Sequence, residues 1–420
     1  MAHTGITETQ ESLTRQWIAQ TREAFRGDGL DVAVWSAVVV ALATMMFSIA
    51  IAQAAVLIAG ILWLAGLWRR PAMRPRRTPL FWCYAAFVAA RVLAIPTSID
   101  PATSIAALRT EIPFHILFFV VLATFDIRKT ERILFLIRLL VLAGVVATAI
   151  GFARYGLGMD ERLTSTTAGY YTLGMFLASV FAIAFAFGRR REVFPNRLLW
   201  MAVCVFLLAG LLFTFNRLHW VVAGVAALVI GAMRERRILA VLAVLGVIAM
   251  LTVAPLQERF LQLLDAGGNM SGRDVLWRGA WMIADQHPLT GFGPRTFPLI
   301  FPLFDVIPDK GVGSWHNDYL QVYMDSGLIA LLPLLATLTL VGGHARRALR
   351  GWAAGSLAHD TTIAFSVMVL GFVLAGGMLD ALLSMLFRTG IAILALLALG
   401  APAVRQRSIE SETPKGGRDA

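Results

Sequence analysis

Long apolar runs joined by short polar connections make up most of this chain. A helix crossing the hydrocarbon layer of a membrane needs ~20 mostly apolar residues at a rise of ~1.5 Å each. Twelve segments are read as such helices: 31–49, 51–68, 79–95, 112–126, 133–153, 170–187, 198–215, 218–232, 238–254, 319–341, 361–380 and 386–402. The first two share one unbroken apolar stretch from Asp31 to Trp68, nearly twice what a single crossing needs, so a hairpin is predicted there. One connection breaks the rhythm. Residues 255–318 are too polar to span and too long for a simple joint, and loops of that length in compact proteins usually carry function.

The predicted fold is therefore an all-α integral membrane protein of about 12 transmembrane helices with a large external loop containing amphipathic helices. It divides into a tail over 1–30, helices one to nine over 31–254, the loop over 255–318, helices ten to twelve over 319–402, and a tail over 403–420.

Composition agrees and excludes other classes. The chain is 58% apolar and 15% charged, with a mean hydropathy of +0.71. A soluble domain carries about 25% charged residues, so a cytoplasmic enzyme and a disordered chain are both excluded. About thirty mostly polar residues precede the first run, which is far longer than a signal-peptide core; an uncleaved anchor is expected. Cys83 and Cys204 lie in separate apolar runs and read as core thiols rather than a disulfide.

A net charge of +11 would suggest nucleic acid in a soluble protein. Here 25 of the 37 Lys and Arg residues fall in segments that share one side of the membrane when the N-terminus is cytoplasmic. Nine fall on the other side, and Arg91, Arg138 and Arg388 lie within or at the ends of spans. Basic residues favour the cytoplasmic side. Both termini are thus expected in the cytoplasm and the large loop outside, with membrane lipid rather than nucleic acid as the partner.

The outward minority is informative. Arg273, Arg278 and Arg295 occupy the loop, and Arg217 sits in the short turn TFNRL. The segment after Ser271, a candidate helix cap, places Val275, Leu276, Trp277, Trp281 and Ile283 on an apolar face that would lie flat at the outer surface until His287-Pro288 breaks it. Arg recognises phosphate by planar, bidentate hydrogen bonds. Two readings stand: an anion site for a lipid-linked pyrophosphate, or ordinary pairing with Asp265, Asp274, Asp285 and Asp318. His316, in SWHNDY, is either structural or a proton acceptor, since imidazole titrates near neutral pH. Asn317 and Asp318 would orient the ring or an acceptor. No metal-ligand motif appears, and Arg charge can stabilise a pyrophosphate leaving group.

The run SGRDVLWRGAWMIADQHPLTGFGPRTF…SWHNDYLQVYMDSGLIALL, the basic turn TFNRLHW and the twelve-span layout resemble the O-antigen ligase and polymerase superfamily. The resemblance implies a membrane-embedded, GT-C-like inverting glycosyltransferase of the bacterial inner membrane that needs no metal or other cofactor and acts at the periplasmic face. Its donor would be a glycan on undecaprenyl pyrophosphate. Its acceptor would be lipid A–core for a ligase, or another lipid-linked glycan for a polymerase of O-antigen or exopolysaccharide. By matching position, Arg217, Arg273 and Arg295 would bind pyrophosphate, His316 would be the base, and Asp380 would support the site, with Arg278 in a lesser role. A polysaccharide transporter is the rival from another class, disfavoured because no internal repeat is visible.

Overall fold

Helices form where the apolar runs stand, and the computed structural model shows how they are cut and joined. It describes residues 14–70, 73–74, 77–124, 130–167, 169–264, 272–307, 310–351 and 355–376. The N-terminal tail forms α1 (Thr14–Ala24), bent by 116° against α2 (Gly29–Thr44). α2 and α3 (Ile49–Arg69) make the predicted hairpin, with Ser48 capping α3. α4 (Pro79–Leu93) and α5 (Pro101–Thr124) follow. α5 starts eleven residues before the expected span because Asp100 accepts the Ala102 and Thr103 amides and Pro101 takes the first helical position.

Next come α6 (Thr130–Gly156), α7 (Tyr170–Ala186), α8 (Arg197–Phe213), α9 (Arg217–Arg234) and α10 (Arg236–Thr252). α7 is apolar all round and buried along its length from Leu173 to Ala186, the signature of a central helix. It packs on α6, α8, α9 and the last described helix, α15 (Leu357–Gly376). α10 is the opposite case, with only Leu242 buried and Val241, Val244, Val247 and Leu251 facing outward, as lipid contact requires.

Among the described residues, four helices are long and apolar enough to cross a membrane alone: α3, α6, α9 and α14 (Asp318–Gly351). The bent pair α1–α2 passes together, and α4, α7 and α8 are apolar but only 15–17 residues long, about 22–26 Å. The chain is a multi-pass, all-helical membrane protein, with no strand among the described residues. The twelfth expected span, 386–402, lies outside the described residues.

The large loop differs from a helix lying flat on a surface. After α11 (Ala254–Leu264), α12 (Arg273–Trp281) ends before the expected break at His287, and Gly272 occupies its cap position; Ser271 lies outside the described residues. The loop has a core of its own, in which Leu276, Ala280, Ile283, Phe292, Phe297, Phe301, Trp315 and Met324 are buried together. α12 turns its apolar face into this core rather than towards lipid. The tryptophans expected to share one interfacial face therefore divide: Trp277 donates its indole N–H to the Trp315 carbonyl at 3.1 Å, while Trp281 is 74% exposed.

A break in α14 attaches the loop to the bundle. At Gly327 (φ 64°, ψ −166°) the helix is interrupted. The freed carbonyls of Met324 and Asp325 accept the amides of Phe292 and Gly293, and the Leu328 and Ile329 amides donate to the Pro288 and Leu289 carbonyls. The orphan groups of a helix end are thus satisfied by the GFGP turn, leaving α14 in two pieces. The predicted span 319–341 is one apolar run in sequence but a short supporting helix followed by a longer one in space.

Candidate active site

Three non-glycine residues in the described chain adopt left-handed backbone: Phe215 (φ 51°), Arg295 (φ 62°) and His316 (φ 48°). Two are residues singled out for chemistry, and the third lies two positions before Arg217. Such backbone costs about 1–3 kcal/mol per residue and persists where surrounding structure holds it, most often at working sites.

The loop core joins the segments that carry the candidates. Trp315 is fully buried, edge-on to Phe297 at 4.7 Å between ring centres and to Phe301 at 5.8 Å. Its carbonyl takes the Trp277 N–H, so α12, which carries Arg273 and Arg278, is bonded to the residue before His316. Arg295, exposed, sits just before the short helix α13 (Phe297–Ile300), whose Phe297 fills the same core. Tyr323 adds a hydrogen bond from its hydroxyl to the Ala284 carbonyl at 2.7 Å.

His316 is partly exposed, with Nδ1 3.3 Å from Ser314 Oγ. In the tautomer where Nδ1–H donates to that hydroxyl, the ring lone pair sits on Nε2. Asn317 Oδ1 caps α14 by accepting the Leu320 amide at 3.0 Å. Asp318 is fully buried at the first position of α14. Arg278 is 70% exposed and 4.0 Å from Asp274 one turn back, a solvent-screened pair. Lys310 bonds the Phe304 and Asp305 carbonyls and belongs to the turn.

Arg217 reaches the same end of the bundle by another route. It opens α9, and α9 packs on α15, where Gly371 meets Val222. Two residues further along α15, the Val373 carbonyl accepts the Tyr319 hydroxyl at 2.7 Å, and Tyr319 is three residues from His316. The start of α9, the end of α15 and the start of α14 therefore lie side by side. Asp380 lies outside the described residues. Among the described residues no three His, Cys, Asp or Glu side chains converge as a metal-binding set.

The sequence reading missed a buried ionic group beneath this site. Arg91 on α4, fully buried, grips Glu111 on α5 (Nη2 to Oε1, 2.7 Å) and Asp325 at the break of α14 (Nη1 to Oδ2, 3.0 Å). The signal existed, since all three residues lie in or beside apolar runs, where ionisable groups must find partners. The turn before α5 and the first turn of that helix also clamp the loop: Ser98 and Ser104 donate to the Phe292 and Pro294 carbonyls, and the Ile99 amide donates to the Phe292 carbonyl.

No curated protein matches the chain. A family model described as O-Antigen ligase matches residues 202–335, from within α8 to the middle of α14. That stretch contains Arg217, Arg273, Arg295 and His316 and excludes Arg91 and Glu111. Over residues 202–335 the chain is therefore similar to the O-antigen ligase family.

Proposed function

We propose that the chain is an O-antigen ligase, a metal-independent inverting glycosyltransferase. It moves a glycan from undecaprenyl pyrophosphate to a sugar hydroxyl of lipid A–core at the periplasmic face of the bacterial inner membrane. The partition of basic residues supports twelve spans with both termini cytoplasmic. The observation that carries the chemistry is His316, held in left-handed backbone next to Trp315, whose carbonyl is bonded to the Arg273-bearing helix.

In the transfer, the His316 imidazole takes the proton of the acceptor hydroxyl as its oxygen attacks the anomeric carbon. The carbon–oxygen bond to pyrophosphate breaks on the opposite face, the bonding pair leaves with the lipid pyrophosphate, and the configuration inverts. Arg217, Arg273 and Arg295 meet the charge that develops on the leaving group, where fixed cations act more strongly than in water. Asp318, two residues along the chain from His316 and fully buried at the start of α14, is assigned a supporting role.

The test is reconstitution of the full chain with undecaprenyl-pyrophosphate glycan, lipid A–core and EDTA. Ligated product is expected, and His316→Ala should bind donor while losing about 100- to 10,000-fold in turnover, the usual worth of a general base. Strict dependence on a divalent metal, or full turnover by His316→Ala, overturns the mechanism. Elongation of the donor without ligation assigns the polymerase reaction instead.

A further inference from the structure

A continuous line of buried hydrogen bonds joins Arg91 to the backbone beside His316. Arg91 Nη1 donates to Asp325 Oδ2 (3.0 Å) and Ser326 Oγ (3.2 Å), and its Nε and Nη2 hold Glu111. The other Asp325 oxygen accepts from Gln321 Nε2 at 2.8 Å, and Gln321 Oε1 accepts the Trp315 amide at 3.0 Å. Arg91, Asp325, Gln321 and Trp315 are all buried. The direction of every bond is set by one group: a carboxylate at 325 only accepts, so it takes the NH₂ end of Gln321 and turns the amide oxygen towards Trp315. Trp315 immediately precedes the left-handed His316, a backbone state that its surroundings must impose.

We propose that Arg91, Asp325 and Gln321 are positioning residues that hold His316 in its working orientation through the Trp315 amide, with Glu111 anchoring the far end. This rests on His316 acting as the base. The ion group lies on α4, α5 and the break of α14, so the bundle itself dictates the backbone of the catalytic loop.

The polarity of the line supplies the test. D325N offers its oxygen to Arg91 and then presents its NH₂ to Gln321; Gln321 must rotate to accept, and its own NH₂ faces the Trp315 N–H, donor against donor. Adding Q321E restores an acceptor at both contacts and returns the buried charge to its original sum. Full-length protein in detergent or nanodiscs is read in two ways. Amide exchange across residues 312–318 should run about tenfold or more faster in D325N and return towards wild type in D325N/Q321E. Turnover should fall about ten- to a hundredfold in D325N with donor KM within about twofold, as for a misplaced base, and recover at least tenfold in the double variant. Q321M, which leaves the ion group intact, should reproduce both losses if D325N fails to fold.

Unchanged exchange in D325N and Q321M overturns the line of bonds. Faster exchange with unchanged turnover overturns its catalytic role, as does a double variant no better than D325N. Full turnover by His316→Ala alongside faster exchange in D325N would instead locate the failure in the assignment of the base.

Discussion

The seam between the GFGP turn and the break of α14 gives the sharpest quantitative test. Gly291 (φ 67°) and Gly327 (φ 64°) face each other across it. A Cβ on Gly327 would overlap the Leu289 carbonyl, and one on Gly291 would stand 2.5 Å from the Ser326 nitrogen and 2.6 Å from the Met324 oxygen. These are backbone atoms and cannot swing aside. Gly327→Ala must therefore either strain a region open only to glycine, about 1–3 kcal/mol besides the overlap, or open the seam and forfeit its four hydrogen bonds. At about 1 kcal/mol net each, those bonds are worth about 4 kcal/mol. A loss of about 3–5 kcal/mol is expected by either route, large against a typical total of about 5–15 kcal/mol. Thermal unfolding in detergent and limited proteolysis across residues 282–317 report it. Gly313→Ala is the control, since nothing lies within 4 Å of its added Cβ. Because either alanine opens the same seam, Gly291→Ala/Gly327→Ala should cost little more than the worse single change. A loop as protease-resistant as wild type in Gly327→Ala, or strictly additive losses in the double variant, would refute the seam as a unit.

Trp315→Ala should destabilise by about 3–5 kcal/mol and abolish transfer, with Trp315→Phe much milder on the melting curve, because the ring fills the loop core. Alanine at Arg217, Arg273 or Arg295 should weaken donor binding, measured by titration with the lipid-linked donor; Arg278→Ala should matter less, and equal losses would undo the assignment. Arg91→Ala should cost about 3–5 kcal/mol in a melting experiment by stranding Glu111 and Asp325, and Glu111→Gln in the same chain should recover part of it. The Thr103 hydroxyl and amide hold the Asp100 carboxyl below its ordinary 3.8, so its contribution is present at neutral pH and is lost as pH falls below that value; Asp100→Asn should flatten the acid limb of the melting profile.

The hairpin α2–α3 was legible because apolar length against membrane thickness is a local quantity. His316 and the loop arginines stood out as candidates because they are polar residues where orientation does not ask for them. What escaped was the loop's own core and the role of Asn317, since Phe297, Trp315 and Leu276 show no shared periodicity across a chain that turns repeatedly between them. Arg91 and Asp325 are 234 residues apart, and nothing in the sequence pairs them.

The sequence by itself determined that this chain lives in a membrane, and its uneven Lys and Arg predicted which side each connection faces. Those properties follow from single residues meeting a slab of hydrocarbon. Only the tertiary structure decided that α14 breaks at Gly327, that the loop docks on the break, and that a buried Arg91–Asp325–Gln321 line ends beside His316. Each of these depends on which donor meets which acceptor once distant segments pack, and no one-dimensional pattern records that pairing.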